Sequence, residues 1–368
     1  MQDQPPSKAR RYESLDAIRG FAATSVMLAH FFGLQLIQYP FLEWLPTRVF
    51  YAGHSAVIVF FVLSGFALFL LFDSAKHSYS IFVSSRWLRI YPAYLFSVIV
   101  AMALILLAKA NHLSWYNAYP PFDVENILEH VLLIGPIDFS LYIGVIWSLV
   151  HEMRIALLFP ALYWAVKRNH RASVIGSTGL SLMFGVAHYG QIFSKDLSEL
   201  VGLTSTAHYA TFFVYGAVIA KNRDIFIQKA RLLPRRYQQT AALFFITGYA
   251  YLEGGFDNIG YSWLIDIMIA TCSSGIVIMA ISFPVFGESR LLRYLGKISF
   301  SLYLIHLPVG FFLLSVLHLD EFNGMASVLS IILSLACAEA MWRMVEARSL
   351  QWSRSVRFIP LFEKRKVN

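Results

Sequence analysis

The stretch AGHSAVIVFFVLSGFALFLLF, Ala52 to Phe72, contains no charged side chain. A helix needs about 20 mainly apolar residues to cross the hydrocarbon layer of a bilayer, and this run has that length and that character. It reads as a membrane span. Working outward in both directions, comparable runs recur at 15–37, 87–108, 143–166, 172–192, 206–220, 239–253, 262–283, 298–318 and 325–346, of which 206–220 and 239–253 are the shortest. The fold class that follows is all-α, a polytopic membrane protein with about ten transmembrane helices. Composition agrees: 57 % of the 368 residues are hydrophobic and only 14 % are charged, far from the balance of a water-soluble domain.

The net charge of +8 is informative through its distribution. With the N-terminus in the cytosol, the outer segments hold only Arg48, Lys109 and Lys195, and Arg19 and Arg154 fall inside helices. Every other lysine and arginine lies on the inner side, as the positive-inside rule demands of an even number of spans with both termini cytoplasmic. The excess charge thus sets orientation and calls for no nucleic acid partner. The polar, basic start MQDQPPSKARRYESL resembles a secretory leader. The apolar run after it continues too far and shows no evident cleavage site, so a retained first helix is expected.

Residues 1–346 form the expected membrane domain, and 347–368 a basic cytoplasmic tail. Arg348, Arg354 and Arg357 alternate there with Trp352 and Phe358, a pattern suited to anionic lipid. The largest outer segment, 109–142, carries VENILEHVLLIG, weakly amphipathic and suited to the bilayer interface. No segment between spans is long enough for a soluble catalytic domain, and no internal repeat suggests the inverted halves of a transporter. Chemistry must occur among the helices. Cys272 and Cys337 fall in apolar runs, which points to packing; neither a disulfide framework nor a metal-type spacing is present.

Ionisable groups inside such helices mark functional sites by default. Arg19 and His30 are eleven residues apart, close to three full turns, so they share one helical face about 16 Å apart along the axis. Arg19 falls near the cytosolic headgroups and His30 near mid-membrane. Arg86 and Arg89, three apart in SSRWLRIYP, share a face at the cytosolic start of the third span; two planar guanidiniums there suit phosphate, although ordinary topogenic charge is the alternative. Glu152, in WSLVHEMRIALLFPALYW, needs a partner on another helix, because Arg154 two positions on faces elsewhere and only Ser148 lies one turn away. His30 or a basic residue near it is the candidate. His306, with Tyr303 one turn before it, is read as a packing residue satisfied by a carbonyl that Pro308 leaves free. Ser64 and Gly65 in FFVLSGF suit close helix approach.

Taken in order, ESLDAIRGFAATSVMLAHFF, FFVLSGF, RWLRIYPAY, WSLVHEMRIALLFPALYW and YLGKISFSLYLIHLPV resemble the signatures of the membrane acyltransferase family 3. The resemblance runs from residue 13 to about 346. Two positions depart from the family pattern: Met153 stands where a second acidic residue is frequent, and Glu346, Ala347, Arg348 where Glu-Arg-Pro is frequent. The resemblance implies transfer of an acyl group, most often acetyl, from cytosolic acetyl-coenzyme A or another acyl-coenzyme A to a hydroxyl of a glycan or lipid-linked sugar. The setting implied is the bacterial inner membrane. Some relatives carry an extracytoplasmic hydrolase-like domain after the last helix; with the sequence ending soon after Glu346, that extension is expected to be absent.

On this reading His30 and Glu152 are the catalytic pair, with His30 either a general base or an acyl carrier. Arg19, Arg86 and Arg89 hold the donor, Trp147, Ser148, Tyr303 and His306 bind substrate or support the site, and no metal is expected. The alternative from another class is a transporter or flippase that uses the buried Arg, His and Glu as a substrate or proton path.

Overall fold

The computed structural model describes residues 12–38, 46–74, 78–113, 124–132, 143–189, 198–253, 262–319 and 321–357. Among these the chain is helical, with no strand. The helices are α1 (Glu13–Gln38), α2 (Gly53–Ser74), α3 (Tyr79–Ala110), α4 (Val124–Leu132), α5 (Ile146–Arg168), α6 (His170–Tyr189) and α7 (Ser198–Lys221). They are followed by α8 (Arg223–Leu232), α9 (Arg235–Tyr251), α10 (Ser262–Ser282), α11 (Arg290–Val316), α12 (Gly324–Met341) and α13 (Ala347–Arg357).

Among the described residues six stretches are long and apolar enough to cross a membrane: α2 from Gly53 to Asp73, α3, α5, α10, α11, and a run from Gly324 to Val356 that joins α12 to α13. The protein is a multi-pass membrane protein. The other four expected segments coincide with α1, α6, α7 and α9. At 24 residues α7 is far longer than the expected 206–220. Within its first turns Thr206 and His208 turn inward to His151 and Ser181, polar groups that lowered the apparent hydropathy.

Helix ends follow local chemistry. Ser78, Ser289 and Asn323 each accept a hydrogen bond from a backbone N–H in the first turn of α3, α11 and α12, the N-cap arrangement that satisfies an otherwise orphaned donor. Glu13 and Asp16 sit in the first turn of α1, and Lys167 and Arg168 in the last turn of α5, as the helix dipole favours. The backbone N–H groups of His54 and Ser55 donate to the two carboxylate oxygens of Glu253, at 3.1 and 2.8 Å. A carboxylate from the far end of α9 thus caps α2.

Between α12 and α13 the chain passes through a π-helical turn, Trp342–Glu346. Residues 347–357, the start of the expected tail, continue the helix and pack on α3, where the Ser353 hydroxyl donates to the Ser85 carbonyl at 2.6 Å. The amphipathic segment is helical as α4 over residues 124–132; its end, 133–135, lies outside the described residues. Tyr94 and Tyr91 of α3 donate to the His130 and Val131 carbonyls of α4 at 2.5 and 2.6 Å.

Two helix pairs approach so closely that only glycine fits. On α1 and α11, a Cβ on Gly20 meets the backbone of Leu292 and Gly296, and a Cβ on Gly296 meets the backbone of Asp16. On α2 and α7, Gly65 faces the Phe213 carbonyl and Gly216 faces the Val62 carbonyl. Without a hydrophobic drive between helices in lipid, such close approach supplies the packing that holds them. Because the obstruction is backbone and cannot rotate away, Gly216→Ala is expected to cost about 1–3 kcal/mol. Thermal unfolding of the detergent-purified variant checks this, and an unchanged midpoint would mean that α2 and α7 can slide apart freely.

Candidate active site

The segments singled out in the sequence come from α1, α2, α3, α5 and α11, and these helices meet. From α1, His30 presents exposed surface in a helix whose preceding turn is largely buried. From α11, the fully buried His306 brings its Nε2 to 3.3 Å from His30 Nδ1. His306 meets His30 from a position past the midpoint of α11. One turn away, the Tyr303 hydroxyl donates to the Val145 carbonyl at 3.0 Å and lies 2.6 Å from the Ser148 hydroxyl. Ser148 is one turn before Glu152 on α5.

The hydrogen bonds fix the tautomers. His30 Nδ1 lies 2.8 Å from the Val26 carbonyl and His306 Nδ1 lies 3.0 Å from the Leu302 carbonyl. A carbonyl only accepts, so each Nδ1 carries its hydrogen. His306 Nε2 is then an acceptor, and the His30 Nδ1–H is shared between Val26 and His306. The remaining His30 nitrogen, Nε2, is a lone pair with no partner among the described residues. His306 does not take the carbonyl freed by Pro308, which belongs to Leu304; it takes that of Leu302.

Glu152 meets Arg86 of α3 in a close ion pair and also accepts from the Ser64 hydroxyl of α2 at 3.2 Å. The partner required by the sequence argument is therefore a base on α3 and not His30. Both groups are largely withdrawn from solvent, with side chains 11 % and 23 % exposed for Arg86 and Glu152, and Arg86 Nε has no partner among the described residues. Arg89, a turn further along α3, interacts with Glu346 of the π-helical turn. That carboxylate also accepts from the Ser301 N–H at 3.2 Å and the Ser301 hydroxyl at 2.5 Å. Arg19, nearer the start of α1, pairs with Asp16 at 3.2 Å and is partly exposed.

Trp147 stacks on the imidazole of His54, ring centres 6.1 Å apart and planes 21° from parallel. His54 and the acid behind it, Asp266, were missed in the sequence. The signal was present: Asp266 is the one acidic or basic residue in α10, SWLIDIMIATCSSGIVIMAIS, and such a residue marks a site by default. Among the described residues no group of three or more His, Cys, Asp or Glu side chains is arranged to hold a metal ion.

These groups lie in an all-helical membrane protein whose family is given by sequence comparison. The family described as "Acyltransferase domain", acyltransferase family 3, matches residues 12–343, and the chain belongs to it. Among curated relatives it is similar to O-acetyltransferase OatA of Staphylococcus aureus, 23 % identical over 369 residues that cover 92 % of this chain and 57 % of that protein. It is also similar to acyltransferase MdmB of Streptomyces mycarofaciens, 28 % identical over 163 residues covering 44 % of this chain and 42 % of that one. The chain spans little more than half the length of OatA. No solved structure matches.

Proposed function

We propose that this protein is an O-acyltransferase of a bacterial inner membrane. It moves an acyl group, acetyl first among the candidates, from cytosolic acyl-coenzyme A to a hydroxyl of a surface or exported polysaccharide, its lipid-linked precursor or a related glycoconjugate. In this reading the ten long helices all span the bilayer, with both termini in the cytosol. The observation that carries the proposal is the unpartnered Nε2 of His30, which the Val26 and His306 hydrogen bonds leave as a base.

The acceptor hydroxyl gives its proton to that nitrogen while its oxygen attacks the thioester carbonyl. The C–S bond breaks, and the proton on Nε2 passes to the departing thiolate, so no net proton is released. His306 acts as a positioning residue that holds the His30 tautomer. Glu152, fixed by Arg86 and Ser64, sets a negative charge beside Ser148 and Tyr303. Arg19, near the start of α1, and Arg86 and Arg89, three residues apart in the first half of α3, hold the donor phosphates, Arg86 while paired with Glu152.

Membranes containing the protein, given labelled acetyl-coenzyme A and a sugar acceptor, are expected to yield an alkali-labile labelled ester. Sugar moving across the membrane with no ester formed is the result the transporter alternative requires. Arg19→Ala and Arg89→Ala are expected to raise the donor KM about tenfold or more, since a charge-assisted hydrogen bond contributes about 1.5–3 kcal/mol. Donor KM values measured at low and high salt check this; unchanged values return both residues to a topogenic role.

A further inference from the structure

A second chain of polar groups runs through the bundle and emerges beside the site just described. Asp266 of α10 bridges two imidazoles: Oδ1 lies 2.7 Å from His54 Nε2 on α2, and Oδ2 lies 3.1 Å from His208 Nε2 on α7. Behind His208, the Ser181 hydroxyl of α6 lies 2.5 Å from Nδ1. An ionised carboxylate only accepts, so both imidazoles present Nε2–H to Asp266, and Ser181 donates to His208 Nδ1.

Accessibility is graded along this chain. The His208 side chain is 2 % exposed and Asp266 9 %, whereas His54 is 36 % exposed. Polar groups that serve only to join helices satisfy one another inside the bundle. Here three buried groups on three helices are arranged behind one imidazole that reaches open surface. A carboxylate behind an imidazole fixes its ring and tautomer, the same arrangement by which an acid orients a catalytic histidine.

The position of His54 ties this chain to His30. Gly53, its neighbour, packs against Ala29, the residue before His30, with no room for a side chain between them. The other face of His54 carries Trp147, whose next residue is Ser148. Tyr209 closes on Trp147 with ring centres 5.5 Å apart. Aromatic rings beside a small number of fixed polar groups make a binding site for a ring compound with several hydroxyls: the rings take its C–H faces and the polar groups its hydroxyls.

We propose that His54 and Trp147 form the acceptor subsite, which binds a pyranose-like polyol and presents one of its hydroxyls to His30. Asp266, held by His208 and Ser181, is a positioning residue that fixes the His54 ring. This rests on the acyl-transfer reading above and names the substrate class of that same site.

The test uses the purified full-length chain in lipid nanodiscs, with labelled acetyl-coenzyme A as donor and methyl glucoside as probe. His54→Gln and Asp266→Asn are expected to raise the KM for methyl glucoside about tenfold or more while the KM for acetyl-coenzyme A stays at the wild-type value. Folding is followed by monodispersity and thermal midpoint. Should Asp266→Asn not fold, His54→Gln at the exposed end of the chain decides. An unchanged methyl glucoside KM in folded variants, a parallel rise in both KM values, or a wild-type enzyme that acylates simple alcohols but not methyl glucoside each overturns the assignment. Failure of the acyl-transfer reading looks different: wild-type protein forms no ester with any alcohol.

Discussion

His30→Ala is expected to reduce acyl transfer by about a hundredfold to ten-thousandfold, the usual contribution of a positioned general base, while the variant remains folded in the membrane. The fold should survive because the shorter hydrogen bond of His30 Nδ1, to Val26, lies within its own helix, and the single link to His306 of α11 is longer at 3.3 Å. The close approach of α1 to α11 depends on Gly20 and Gly296, three turns away. His306→Gln should cost less, because the Val26 carbonyl still holds the His30 Nδ1–H and only the second acceptor changes. Initial rates of ester formation at saturating donor measure both. Turnover within a few fold of wild type in His30→Ala would remove this imidazole from the chemistry.

Breaking the Arg86–Glu152 pair should have the next largest effect. Removing one partner of a buried ion pair leaves the other charge uncompensated, at a cost of about 3–5 kcal/mol. Arg86→Met and Glu152→Leu alone should each lower the thermal midpoint sharply, and Glu152→Leu also orphans the Ser64 hydroxyl. The double variant Arg86→Met/Glu152→Leu should recover most of the lost stability, since an apolar pair of similar volume replaces an ion pair at little cost. It should not recover transfer, because no charge then stands beside Ser148 and Tyr303. Single variants as stable as wild type would show that water reaches the pair; a double variant with full activity would remove Glu152 from the mechanism.

Much of this architecture was legible in the sequence because lipid imposes simple demands. A span such as Ala52–Phe72 announces itself by length and lack of charge, and the ten predicted segments all fall on helices. Hydropathy served least well in α7, where Thr206 and His208 look polar in sequence but are turned toward Ser181, His151 or their own backbone. The five motif segments were each recognisable, and Arg19 and His30 followed from helical period alone.

Partnership was not legible. Whether Glu152 would meet His30 or another base depends on how α3 and α5 cross, which no pattern within either helix fixes. His306 was read as packing; its contact with His30 was not legible, because it depends on how α1 and α11 lie against each other, which no pattern within either helix fixes. Asp266 and His54 were passed over because each stands alone in its helix, with every partner on a different one.

The account depends on the donor thioester reaching His30, and the most direct test is an experimental structure with a non-transferable acyl-coenzyme A analogue bound. The account predicts the analogue's carbonyl carbon within about 3.5 Å of a site from which a hydroxyl also touches His30 Nε2, the near-attack separation, with the phosphates toward Arg19 and Arg89. An analogue whose acyl end lies against another face of the bundle, with His30 Nε2 facing lipid tails, would contradict it.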